Sequence, residues 1–489
     1  MDYIRIGEKD NVAVALTELA RGTEALGVTL KCDIPAGHKF ALSNIRCGEN
    51  IIKYSSPIGH ATCDIEPGDW VHTHNTATNL DGILEYKYSP VKIPEREGRH
   101  ATFRGFRRSN GRVGIRNEVW IIPTVGCVGA VAEEIAREAQ QYVSGSVDGV
   151  FALEHPYGCS QLGGDHLNTQ KVLAGLAHHP NAGGVLILGL GCENNNIDEF
   201  RRVLGECDPD RVKFLNSQDV SDEVGEGLQI VRELIDTAAR DERTDVPSSE
   251  LIVGLKCGGS DGFSGITANP TVGAFSDMLV YGGGSAILTE VPEMFGAEGL
   301  LMERCESREV FDRTVSLIND FKEYFMRYGQ TVYENPSPGN KKGGITTLED
   351  KSLGCTQKCG SAAVRDVIGY GDPVRRRGLT LLSAPGNDLV ASTALAVSGA
   401  HLVLFTTGRG TPFGCPVPTV KISSNTPLAE RKPAWIDFDA GIVCRTGDIP
   451  ARGAELFDYV MSLASGDVRT RNEQHGMRGI SIFKDGVTL

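Results

Sequence analysis

The 489-residue chain is short of several features that would settle its class early. It has no apolar run approaching the about 18 to 20 residues that span a bilayer. Its first residues, Met1-Asp2-Tyr3-Ile4-Arg5, show neither a basic stretch leading into an apolar core nor an Arg/Ser-rich amphipathic pattern, so no export or transit signal is expected and the expected compartment is the cytoplasm. No CxxC pair occurs, which removes the signature of a structural zinc site. No G-x-G-x-x-G opens a helix with an acidic residue about twenty positions on, and the P-loop pattern is missing too; a nicotinamide oxidoreductase or an NTPase ranks low. Positive charge is also scarce: 49 Lys and Arg stand against 63 Asp and Glu, a net charge of −14. The short runs Arg107-Arg108 and Arg375-Arg376-Arg377 make no basic stripe, so neither nucleic acid nor an anionic membrane is an expected partner.

What is present is cysteine, thirteen of them, an odd number that reads as reduced thiols rather than a disulfide framework. Four follow apolar runs and lie beside glycine: Cys127, Cys159, Cys192 and Cys257. A fifth, Cys355, is expected in a long glycine-rich loop. If the runs are parallel strands, these thiols collect at the carboxyl ends of a sheet, where open α/β folds build their sites. Cys127 is the member best explained by packing alone. The others are candidate ligands or reactive groups, and an iron or iron–sulfur site assembled from distant strands would use them.

The chain divides into segments. Residues 1–88 carry short β-like runs punctuated by glycine, with Ile34-Pro35-Ala36-Gly37 echoed by Ile65-Glu66-Pro67-Gly68, and predict a small β module. Residues 89–104, charged and bearing two prolines, predict an extended linker. From 105 to 245 strand-like and helix-like periods alternate, implying a parallel sheet covered on both faces; a polar break ends this region, and 246–489 predicts a further α/β region. The stretch 334–344, rich in Gly, Pro and Lys, is expected to be a site loop. Two to four domains suit this length, and a homo-oligomer is the expectation for such an enzyme.

Chemistry-bearing residues fall into three groups. His72-Thr73-His74 places two imidazoles on one face if the segment is a strand, a pattern able to hold a divalent first-row metal. The metal candidates are therefore His72, His74, Cys159, Cys192, Cys257 and Cys355, meeting at a junction between the β module and the sheets or against a neighbouring subunit. For proton transfer the candidates are His155 and His166, which flank Cys159, together with Asp261 and Glu290. His38, Lys39, Arg116 and Arg409 are the candidates for binding a small carboxylate ligand, arginine because it grips a carboxylate through two hydrogen bonds.

Read together, Ala36-Gly37-His38-Lys39-Phe40-Ala41-Leu42, Val71-His72-Thr73-His74-Asn75, Thr124-Val125-Gly126-Cys127-Val128, Tyr157-Gly158-Cys159-Ser160-Gln161-Leu162-Gly163, Gly189-Leu190-Gly191-Cys192-Glu193-Asn194-Asn195, Cys257-Gly258-Gly259-Ser260-Asp261-Gly262 and Gly354-Cys355-Thr356-Gln357-Lys358 resemble the altronate/galactarate dehydratase family, over essentially the whole chain. Cys359 departs from the family pattern, where a small residue is expected. The resemblance implies a multidomain α/β protein: an N-terminal β-clip (antifreeze-like) domain, then two α/β regions with mainly parallel sheets. It implies loss of water from a sugar acid, with Fe2+ or Mn2+ as activator and an iron–sulfur cluster as the other form of iron. Galactarate or another sugar acid is the alternative substrate. A non-catalytic iron-binding or sugar-acid-binding protein is the alternative of a different class.

Overall fold

A computed structural model describes residues 2–93 and 96–488; two residues of the expected linker, 94 and 95, lie outside the described residues. The chain forms a β module, an extended strap and two α/β units, each built on a wholly parallel sheet.

The module folds as two small antiparallel sheets and a two-stranded antiparallel ribbon, Glu24–Ala25 with Val28–Thr29. Tyr3–Ile4, Val12–Ala15, Lys39–Ala41 and Trp70–Val71 lie side by side, and Asn50–Lys53, Ser56–Ala61 and Thr76–Ala77 make the second sheet. The buried side of the module, Ile45, Ile51, Ile58, Ile65 and Val71, also packs on Ala297 and Leu353 of the C-terminal unit, so module and unit share one apolar core. The seam beside it is backbone on backbone. A Cβ on Gly262 would stand 2.1 Å from Gly37 O, and one on Gly344 2.2 Å from the same atom. Only glycine permits that approach.

The strap does not hang free. Val91 N–H donates to Glu303 O (2.9 Å), Arg99 N–H to Met278 O (2.9 Å), and the Tyr88 ring sits 5.2 Å from Phe311, all in the C-terminal unit. It ends in strand Thr102–Arg107, which pairs antiparallel with Arg243–Pro247 and joins the two α/β units from outside their sheets.

In the middle unit the strand order is Gly149–Ala152, Glu118–Pro123, Ala182–Gly189, Val212–Asn216. Successive side chains of a strand face opposite ways, so apolar runs suit a sheet covered on both sides. Val119 and Ile121 join helices Gly129–Ala139 and Glu223–Ala238 in one core, while Trp120 and Ile122 join Gly163–Ala177 and Ile197–Leu204 in another.

The C-terminal unit repeats the principle with seven strands: Val364–Ile368, Leu379–Leu382, Ser285–Leu288, Ile252–Cys257, Leu402–Thr407, Thr419–Ser423 and Phe438–Asp439. Ile252–Cys257 is central, and the chain passes from it first to one side and later to the other. Beyond the carboxyl end of such a strand lies the crevice in which open α/β sheets place their chemistry. Among the described residues no helix is long and apolar enough to cross a membrane.

Candidate functional site

The central strand ends in Lys256-Cys257, and both side chains are buried under a nest of charge. Glu290, two residues beyond the neighbouring strand Ser285–Leu288, holds a left-handed backbone at φ 67°. Such strain in a non-glycine residue costs roughly 1–3 kcal/mol and persists only where the surroundings enforce it. Here the enforcement is visible: its carboxylate accepts from Cys257 N–H (2.9 Å), from Lys358 Nζ (2.9 Å) and from Lys256 Nζ. Lys256 also reaches Asp388 Oδ1 at 2.9 Å.

Two thiols and a carboxylate meet beside this nest. Cys257 Sγ and Cys355 Sγ are 3.2 Å apart, and each donates to Glu293 Oε2, at 3.0 and 3.2 Å. Lys351 Nζ holds the other Glu293 oxygen at 2.8 Å and Asn335 Oδ1 at 3.1 Å. Burial opposes ionisation of Glu293, but Lys351, Lys256 and Lys358 outweigh it and hold the carboxyl well below its ordinary range. The Cys355 thiol is pushed up by its hydrogen bond with Cys257 and by burial. Among the described residues, Cys257, Glu293 and Cys355 are the one trio of such side chains whose ligand atoms all lie within 4.8 Å of one another.

This donor set fits a divalent first-row ion. With thiols protonated, the ammonium groups of Lys256, Lys351 and Lys358 balance the carboxylates of Glu290, Glu293 and Asp388. An ion entering with loss of both thiol protons leaves that balance unchanged.

Two clefts approach the nest. One, of about 710 Å³, lies between the module, through Leu16, Thr17 and Ala36, and the C-terminal unit, through Asp261, Arg409, Asn425, Arg431 and Arg445. A small void lined by Asp261, Lys351 and Cys355 separates its floor from the thiols. The other, of about 680 Å³, is walled by Phe321, Tyr324 and Phe483 and floored by Pro292, Asn335 and Gly386, next to Glu293 and Lys351. It takes in residues 334–338 and 341 of the expected site loop, which folds in part as helix Pro338–Lys342.

The residues expected from sequence do not gather at one point. Cys257 and Cys355 do meet. Cys355, however, ends helix Leu348–Cys355 rather than lying in a loop, because Thr347 caps that helix and its first turn carries Glu349 and Asp350. Cys159 and Cys192 stand exposed on the middle unit, and so does Cys127, where packing predicted burial. The histidine pair lies on the module. His72-Thr73-His74 forms a turn, not a strand: Asn75 N–H donates to His72 O (3.0 Å) and Asn75 Oδ1 accepts from His72 N–H (2.9 Å). His72 is buried and stacks on Trp70, with Nδ1 unpartnered, and burial with Lys39, His38 and His74 nearby lowers its pKa to about 4. His74 is exposed, its ring 5.3 Å from that of Trp70.

Four further candidates are held in structural bonds. His155 Nε2 meets Pro123 O at 2.8 Å and its Nδ1 accepts from Tyr157 N–H, so neither ring nitrogen is free. Arg116 is buried in a two-pronged pair with Glu473, at 2.6 and 3.1 Å. Lys39 is sealed between Asp350 (2.8 Å) and Gly344 O, and burial lowers it to about 8 despite Asp350. His38 accepts from Trp70 Nε1 (3.2 Å) and meets Lys342 O (3.3 Å) across the seam. His166 lies in helix Gly163–Ala177 of the middle unit, its Nδ1 unpartnered. Asp261 and Arg409 line the larger cleft, and Glu290 belongs to the lysine nest.

Sequence reasoning missed Lys256, Lys53, Asp350 and Asp388. Lys256 left a signal: a charged residue inside an apolar parallel strand must have a buried partner.

Comparison with known proteins gives the arrangement a lineage. Residues 1–79 match the altronate/galactarate dehydratase SAF domain, 105–239 the D-galactarate dehydratase/altronate hydrolase second domain, and 248–488 the D-galactarate/altronate dehydratase C-terminal domain. The altronate dehydratase of Bacillus subtilis is 53% identical over 500 residues, covering all of this chain and 99% of that protein. That of Escherichia coli is 52% identical, with all of both chains covered. The galactarate dehydratase (L-threo-forming) of Escherichia coli is 35% identical over 98% of this chain and 96% of its own. With three family domains in order and relatives matched end to end, the chain belongs to the altronate/galactarate dehydratase family.

Proposed function

We propose that this chain is a hydro-lyase that dehydrates D-altronate to 2-dehydro-3-deoxy-D-gluconate. Whole-length identity carries the reading: 52–53% to two altronate dehydratases against 35% to a galactarate dehydratase. The same reading makes a small sugar acid the partner and the cytoplasm the compartment.

The reaction removes a proton from C2 and hydroxide from C3; the enol that results ketonises without a redox cofactor. Its difficulty is charge, because the substrate is already a carboxylate and the enediolate carries more. Cys257, Cys355 and Glu293 would hold Fe2+ or Mn2+, which supplies Lewis-acid stabilisation of that developing charge. Arg409, an exposed residue between Gly408 and Gly410 that lines the larger cleft, binds the substrate carboxylate. Asp261 takes the C2 proton. It lines the cleft, and burial raises its pKa although Ser424, Ser264 and Asn425 donate to it. Lys351, kept protonated by Glu293 against its burial, gives a proton to the departing C3 hydroxyl. Glu290 positions Lys256 and Lys358 rather than meeting substrate.

An anaerobic assay with D-altronate, galactarate and other sugar acids, with ferrous or manganous ion and with chelator, tests this. A kcat/KM for D-altronate at least ~10-fold above that for galactarate, abolished by chelator, is expected. Turnover of a different sugar acid with none of D-altronate, or no turnover of any, overturns it.

A further inference from the structure

The carboxyl end of the middle sheet carries a second set of thiols which the dehydration reading does not use. Cys127, Cys159 and Cys192 follow three adjacent strands, Glu118–Pro123, Gly149–Ala152 and Ala182–Gly189, and all three are exposed. Free cysteine is among the most buried residue types, so three exposed on neighbouring loops need a reason.

The loops are tied into one platform. Gly126 N–H donates to Tyr157 O (2.8 Å), Asn195 N–H to Gly158 O (3.0 Å), and Ser160 N–H to Asn194 Oδ1 (2.9 Å). Asn195 Nδ2 reaches back to Thr124 O at 3.0 Å. The approach is close enough that a Cβ on Gly158 would stand 2.0 Å from Thr124 O. Next to two of the thiols the backbone is left-handed, at Gly158, Ser160 and Gly191.

A second observation points to a ligand. Asn195 Oδ1 and Gln161 Nε2 are buried without a partner on these same loops, and Asn216 Oδ1 and Ser217 Oγ are unpartnered at the end of the next strand. Asn195 is 0% and Gln161 3% exposed. Buried polar groups are ordinarily hydrogen-bonded, so four orphans at one sheet end mark an acceptor and donor set awaiting something.

We propose that Cys127, Cys159 and Cys192 hold an iron–sulfur cluster of the cubane type, whose fourth iron has no protein thiolate and is open to an oxygen ligand. A cluster is favoured over a single ion by spacing. With metal–sulfur bonds of about 2.3 Å, three thiolates on one ion must lie within roughly 4 to 4.6 Å of each other. These three do not form such a trio; Cys257, Glu293 and Cys355 do. A cubane is broad enough to bridge ligands that come from separate loops. Ligation releases three thiol protons, and Lys484, whose ammonium sits 5.4 Å from the Tyr157 ring, brings positive charge to the Cys159 loop. The proposal holds whether or not D-altronate is the substrate, because none of its residues is in the Cys257–Cys355 site.

Its test is anaerobic reconstitution of the full chain with ferrous iron and sulfide. About four acid-labile sulfides per chain, with about four irons beyond the one taken by Cys257, Glu293 and Cys355 and a broad band near about 400 nm, are expected. Cys127→Ser, Cys159→Ser and Cys192→Ser should each lose most of the sulfide and the band, while Cys257→Ser and Cys355→Ser keep both. Because the three thiols are exposed, the unreconstituted triple variant should melt with the parent, which separates loss of ligands from loss of fold. A parent that binds iron without sulfide, or no iron, overturns the proposal, as does a triple variant that retains the cluster. A parent that takes up no cluster on reconstitution yet turns over D-altronate would remove this proposal and leave the dehydratase reading standing.

Discussion

Two arginines of similar promise in the sequence have opposite fates. Arg116 is spent on Glu473 inside the protein, whereas Arg409 stands in the cleft. Arg116→Ala strands a buried carboxylate and should cost about 3–5 kcal/mol, read by denaturant unfolding. Arg409→Ala should leave unfolding unchanged and raise KM for the sugar acid by roughly 10–100-fold. Glu293 gives a pH signature. Its folded pKa lies below the ordinary 4.5, so its contribution is present above that value and is lost as pH falls through the folded one. Unfolding measured from pH 6 downward should therefore fall less steeply in Glu293→Gln than in the parent. Single-residue roles were the least legible part of the sequence. Cys257 and Cys355 were named for the thiol chemistry they share, but their meeting is made by a strand and a helix 98 positions apart. Nothing near His155 or Arg116 announced that Pro123 O and Glu473 would take them up.

Elements were read well where apolar runs are bounded by glycine, as in Ala182–Gly189 and Ile252–Cys257, since a strand buried on both faces has little other pattern to adopt. Helix Leu348–Cys355 shows the opposite case. Glu349-Asp350-Lys351 looks like solvated surface, yet all eight residues of the helix are buried. The cause lies far away in sequence: Asp350 receives Lys39 at 2.8 Å and Lys53 at 3.0 Å from the module. Asp350→Ala leaves two buried ammonium groups unpaired and should cost about 3–5 kcal/mol. The same variant should expose the strap around residues 84–93 to limited proteolysis, detectable as two fragments under native conditions. The strand condition on His72-Thr73-His74 is not met, because period-2 spacing says nothing of the Asn75 side chain that folds the segment into a turn.

At the scale of the molecule, the module is not a tethered accessory. Its core runs into that of the C-terminal unit, and together they wall the larger cleft. The glycine seam can be tested directly. Gly262→Ala should destabilise by about 1–3 kcal/mol through overpacking against Gly37 O, whereas Gly164→Ala, with nothing within 4 Å, should be neutral, both read as thermal midpoints. The seam also sets how such a cleft can be retuned. Where two surfaces meet with no side chains between them, no smaller residue exists to bring them nearer, and every larger one is a wedge. The width between module and sheet is thus a floor dimension. A change of preferred sugar acid has to be written in the walls, on the loops of Arg409, Arg431 and Arg445, and not in the distance between them.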